Sequence, residues 1–187
     1  MSTITSSMKA FIPPFRQIVP VYALQVLLVY GWAIIAFFYE LPRWRFFLSP
    51  LETGAVFAYA MLFAFLDSVV FLAATLMLGA IFYRKFLQET YVPVMAGVSV
   101  SIYLWTGLLW SQYQHALRTG SPWVEERMPS GLLLALITTI LLALAVQRIP
   151  ALRKFFHALA ERAQIFLYLY LPLSLLSLLV VVTRNWI

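Results

Sequence analysis

Of the seven acidic residues in this 187-residue chain, Asp67 alone falls inside a long apolar run. A carboxylic acid at mid-membrane costs about 2.5–3.5 kcal/mol on insertion scales, so a chain that keeps one there has a use for it. Two uses suit the group. As a carboxylate, it is a proton or cation site for a small transporter or channel. As a protonated acid, it is a hydrogen-bonding group that ties its helix to a neighbour. Ala60, Ala64, Asp67, Phe71 and Ala74 recur at helical spacing and share a face. That face is expected to turn toward the protein interior, because intramembrane acids usually do. Ser68 beside Asp67, and Gln25 as the strongly polar residue inside the first apolar run, complete a possible intramembrane functional or packing site. No second acidic residue and no histidine accompanies Asp67 in the apolar segments, so a proton relay built from this chain alone is not expected.

The other residue types with chemical potential are sparse. The absence of cysteine excludes thiolate catalysis, disulfides, iron–sulfur clusters and cysteine zinc sites. His115 and His157 fall in predicted loops on opposite sides of the membrane and cannot ligate one haem. Copper, zinc and di-iron centres need clusters of His, Cys or carboxylates, and the sequence has none. The pair Glu125 and Glu126, flanked by Trp123 and Arg127, could bind a cation or serve as acid and base. A solvated loop explains the pair equally well. Phosphate-loop, dinucleotide, nucleophile-elbow and zinc-protease motifs are absent. The expectation is therefore no cofactor, no metal and no catalytic residue. Arg43, Trp44 and Arg45, and then Arg153 and Lys154, combine guanidinium, ammonium and aromatic groups as lipid headgroup contacts do.

The elements that position these residues follow from hydropathy. The chain is 63% hydrophobic, 11% charged and has a mean hydropathy of +0.89. A soluble domain carries about 25% charged residues and could not hide this much apolar surface from water. The pattern predicts an all-α polytopic membrane protein: a single transmembrane domain over residues 1–187, with spans at about 19–39, 53–83, 92–113, 131–146 and 164–183. The second run would be about 45 Å long, so it must tilt or project beyond the hydrocarbon core. Residues 1–20 are polar and then proline-rich, unlike a signal peptide. Between the fourth and fifth spans, Leu152, Phe155, Phe156 and Leu159 recur at i, i+3, i+4 and i+7 after Pro150. This predicts an interfacial amphipathic helix over residues 149–162, or equally an extension of the fifth span. Pro172 is expected to kink that span.

Five spans place the termini on opposite sides. The N-terminal side holds Lys9, Arg16, Arg84, Lys85, Arg148, Arg153, Lys154 and Arg162, and the other side Arg43, Arg45, Arg118, Arg127 and Arg184. The positive-inside rule then puts the N-terminus in the cytoplasm and the C-terminus outside. The net charge of +6 matches loops that face anionic lipid, and no nucleic-acid partner is expected. In layout alone, the arrangement is similar to the five-helix membrane half of lipoteichoic-acid-synthase and sulfatase-like proteins. Their extracellular catalytic half has no counterpart in this sequence, and no residue is assigned from that likeness. The leading expectation is a noncatalytic integral-membrane subunit or scaffold of a larger membrane complex, with the lipid bilayer and other membrane subunits as partners. Behind it come a transporter or channel that uses Asp67, and a lipid-modifying enzyme or membrane anchor module.

Overall fold

The computed structural model describes residues 13–82, 89–120 and 126–186. The described residues form five long helices: α1 (Phe15–Trp44), α2 (Pro50–Phe82), α3 (Tyr91–Thr119), α4 (Met128–Arg148) and α5 (Pro150–Trp186). Each is long and apolar enough to cross a membrane, and no strand occurs among the described residues. The chain is thus an all-helical protein of integral-membrane character. Lys9, Arg84, Lys85, Trp123 and Glu125 lie outside the described residues.

Local chemistry sets the helix ends. Ser49 and Glu52 form a reciprocal cap before α2. The Ser49 N–H and hydroxyl both donate to Glu52 Oε2 at 2.8 Å, and the Glu52 N–H donates to Ser49 Oγ at 3.3 Å. α3 ends at Gly120, whose φ of 66° lets its N–H reach the Ala116 carbonyl. Ile149 alone separates α4 from α5. Pro150 has no N–H to extend α4 and forces the residue before it out of helical geometry, so Ile149 is extended. The same proline then starts α5, where its missing donor is not needed.

α5 runs unbroken from Pro150 to Trp186, so the structure has no separate interfacial helix over residues 149–162. The reason lies in what that segment's apolar face meets. Phe156, Ala160 and Ala163 are buried against Leu24 of α1, Ala96 of α3 and Val146 of α4, with Leu152 and Leu159 packed alongside. Of the predicted apolar face, Leu152, Phe156 and Leu159 lie on protein while Phe155 stays exposed, and nothing between Leu159 and Gln164 breaks the helix.

The contacts also give the helix directions. Gln25, early in α1, meets Thr75, late in α2, and Ser99, early in α3. Tyr59, early in α2, donates to Asn185 Oδ1 near the end of α5 at 3.0 Å. Along α3 and α4 the register descends in order: Gly97 faces Val146, Ser101 bonds Thr139, Trp105 bonds Thr138, and Gly131 faces Leu109. α2 is therefore antiparallel to α1, α3 and α5, and α4 is antiparallel to α3. A dense apolar core closes the end of the bundle where α1 and α3 begin. A second cluster, with Tyr30, Met61, Ala64 and Tyr170, continues it along α1, α2 and α5.

Small residues enable the close approaches. A Cβ on Gly97 would stand 3.3 Å from Val146 Cγ2, and one on Gly131 would stand 2.9 Å from Leu109 Cδ2. Gly97 and Ser101 thus hold α3 against α4. Gly54 makes no such approach, because nothing lies within 4 Å of a Cβ there.

Candidate functional site: a groove around Asp67

α2 and α3 touch only sparsely. They are joined near one end through Gln25, and from Ser101 onward α3 packs on α4 instead. This divergence leaves a cavity of about 410 Å³ on the flank of the bundle, walled by α1, α2 and α3. Its small side chains are Ala33, Ala60 and Ala64, its rings are Trp32, Phe63, Phe71 and Tyr103, and its polar groups are Asp67 and Thr106. A neighbouring cavity of about 540 Å³ shares Trp32, Tyr103 and Thr106 and extends the groove toward Trp110.

Asp67 lies about 25 Å along α2 from Pro50, near the helix midpoint. Its side chain is exposed, and it has no hydrogen bond or ion pair with any described residue. The expectation that it faces the protein interior is thus corrected. At 100° per residue, the buried positions Met61, Ala64, Ser68 and Thr75 centre about a quarter-turn away from Asp67. Ala60, Ala64, Asp67 and Phe71 do share a face, as their spacing requires, and all four line the groove. That face borders the core rather than entering it. The Tyr103 hydroxyl is buried beside the Trp32 backbone, without a well-formed hydrogen bond.

The other two residues of the predicted site are elsewhere. Ser68 is fully buried, donates to the Phe65 carbonyl at 2.7 Å and lies 3.4 Å from the Tyr22 hydroxyl. Gln25 is also fully buried. Its amide donates to Thr75 Oγ1 at 2.9 Å and to Ser99 Oγ at 3.0 Å, which ties three helices together, while its Oε1 has no partner. Both residues pack the bundle, and neither lines the groove with Asp67. Similar ties elsewhere escaped sequence reasoning, notably the Tyr30–Ser174 hydroxyl bond between α1 and α5. Lone Tyr, Ser and Thr residues in apolar runs are the only signal for them, and they carry no partner information.

Arg43 and Arg45 are exposed at one end of the bundle, and Trp44 is half-buried edge-on to Phe37. Lys154 is exposed at the other end. Arg153 is turned inward: its guanidinium donates to the Gln147 carbonyl at the end of α4, and its Nε is buried without a partner. Capping α4 competes there with the headgroup role expected of it. His115 and His157 both lie on helices rather than in loops, at opposite ends of the bundle, and His157 Nδ1 is 3.4 Å from Glu161. Glu126 is exposed beside Arg127. Among the described residues, no group of three His, Cys, Asp or Glu side chains is placed to hold a metal.

No protein-family model, curated protein or solved structure matches this chain.

Proposed function

We propose that the chain is a noncatalytic integral-membrane subunit or scaffold that receives a partner within the bilayer. The observation that supports this reading is Asp67, an acid with no partner among the described residues, near the middle of a helix apolar enough to span a membrane and on the outside of the bundle. Facing hydrocarbon, it would cost about 2.5–3.5 kcal/mol. A partner that covers the groove and supplies a donor removes that cost. The groove suits close approach, because Ala33, Ala60 and Ala64 let another backbone come near. α4 adds a second candidate contact face: Val146 is its one buried residue, and leucines cover its outer side. A transport path through the monomer has less support, because Asp67 lies on the flank and the space among α1, α3 and α5 is filled by apolar side chains. The excess of basic residues favours a cytoplasmic N-terminus.

Purification from the native membrane in a mild detergent tests the proposal. The expected result is a stoichiometric membrane partner that stays bound through size exclusion. A monomer free of protein partners would overturn it.

A further inference from the structure

We infer that the groove docks a transmembrane helix carrying a lysine or arginine near its midpoint, whose cationic head meets Asp67. This rests on the subunit reading above and names the partner's chemistry. Three features of the groove converge on that occupant.

The first is charge complementarity. Asp67 is exposed at mid-membrane with no partner among the described residues, and no basic residue of this chain lies in the described middle of any helix to meet it. Acids inside membranes typically pair with bases or backbone groups. The second is aromatic lining. Trp32 (47% exposed), Phe63 (61% exposed), Phe71 and Tyr103 line the same cavity as Asp67, and aromatic rings attract an ammonium or guanidinium. The third is shape. The groove lies between helices, with small residues from α1 and α2 along it. Small residues allow helix backbones to pack closely in lipid, where apolar surface alone supplies no drive to associate. A lysine on such a helix brings a long apolar stem that suits the rings and a head that suits the acid.

The test uses the full chain in phosphatidylcholine vesicles. An acceptor dye is placed on a cysteine introduced at Thr119, since the chain has none of its own. The probe is a donor-labelled poly-leucine transmembrane peptide with one central lysine, compared with the same peptide bearing leucine there. Energy transfer should show the lysine peptide binding about tenfold more tightly, the size that model transmembrane peptides show for an interhelical polar contact. Asp67→Leu should abolish that preference, and Asp67→Asn should reduce it. Thr106→Trp, which fills the groove and leaves the carboxyl group intact, should weaken binding of the lysine peptide. Thermal unfolding in detergent verifies that each variant is folded. Equal binding of the two peptides, no binding of either, or a lysine preference that survives Asp67→Leu would each overturn the inference. So would a groove that ignores the peptide but takes up dodecylamine in an Asp67-dependent way, which would assign it to a small lipophilic amine. Native partners that co-purify equally with wild type and Asp67→Leu would overturn this inference and leave the subunit reading standing. Specific peptide binding with no native partner would do the reverse.

Discussion

Replacing Gln25 by leucine and by alanine should separate the filling of space from the making of hydrogen bonds inside the bundle. Gln25 is fully buried and bonds Thr75 and Ser99. Interhelical hydrogen bonds in membrane proteins average about 0.6 kcal/mol, so losing two costs about 1.2 kcal/mol. Against this, Gln25 Oε1 is buried without a partner, and a group in that condition costs about 1–3 kcal/mol. Leucine removes that penalty and keeps most of the volume. Thr75 stays satisfied, because its hydroxyl already reaches the Phe71 and Leu72 carbonyls at 3.1 and 2.9 Å. Ser99 can turn to a carbonyl of its own helix. Gln25→Leu should therefore stay within about 1 kcal/mol of wild type. Gln25→Ala loses the same bonds and also opens a cavity, so it should be about 3 kcal/mol less stable. Unfolding in mixed micelles of rising dodecyl sulfate fraction, followed by tryptophan fluorescence, measures both. If Gln25→Leu lost as much as Gln25→Ala, the hydrogen bonds would outweigh the packing, and the argument from the unpaired carbonyl would be wrong.

Three further outcomes follow from close contacts and caps. Gly79→Ala would place a Cβ 2.8 Å from Cε2 of the buried Tyr91 ring and should cost about 1–3 kcal/mol in the same assay, whereas Gly131→Ala meets only the tip of Leu109 and should cost less than about 1 kcal/mol. Ser49→Ala breaks the reciprocal bonds with Glu52 and should lower the stability of the first turn of α2 by about 1 kcal/mol, read as roughly fivefold faster amide exchange confined to that turn.

Much of the architecture was legible in the residue order. Long apolar runs in a chain with 11% charged residues have few stable fates outside lipid, and Pro150 and the Arg43–Arg45 segment mark places where runs stop. These are local effects: a missing N–H, a charge that hydrocarbon rejects. The mid-span position of Asp67 was equally legible, because it depends only on counting. The bounds were less so. Helices continue past the apolar runs into headgroup and water, which is why α3 reaches Thr119 and takes in His115.

What only the tertiary structure decided concerns direction around a helix axis. Helical spacing puts Ala60, Ala64, Asp67 and Phe71 on one face, yet it does not say which neighbour that face meets. In water, apolar residues must turn inward, so periodicity points to the core. In a helix apolar on all sides that signal disappears, and packing alone orients the face. The same ambiguity left residues 149–162 open between a surface helix and an extension of the fifth span; packing of Leu152, Phe156 and Leu159 on α1, α3 and α4 goes with the continuous helix. It also concealed that Gln25 and Ser68 tie the bundle together while Asp67 faces out of it. Sequence determined that an acid lies near the middle of a long apolar helix. The divergence of α3 toward α4 decided that it lines an open groove.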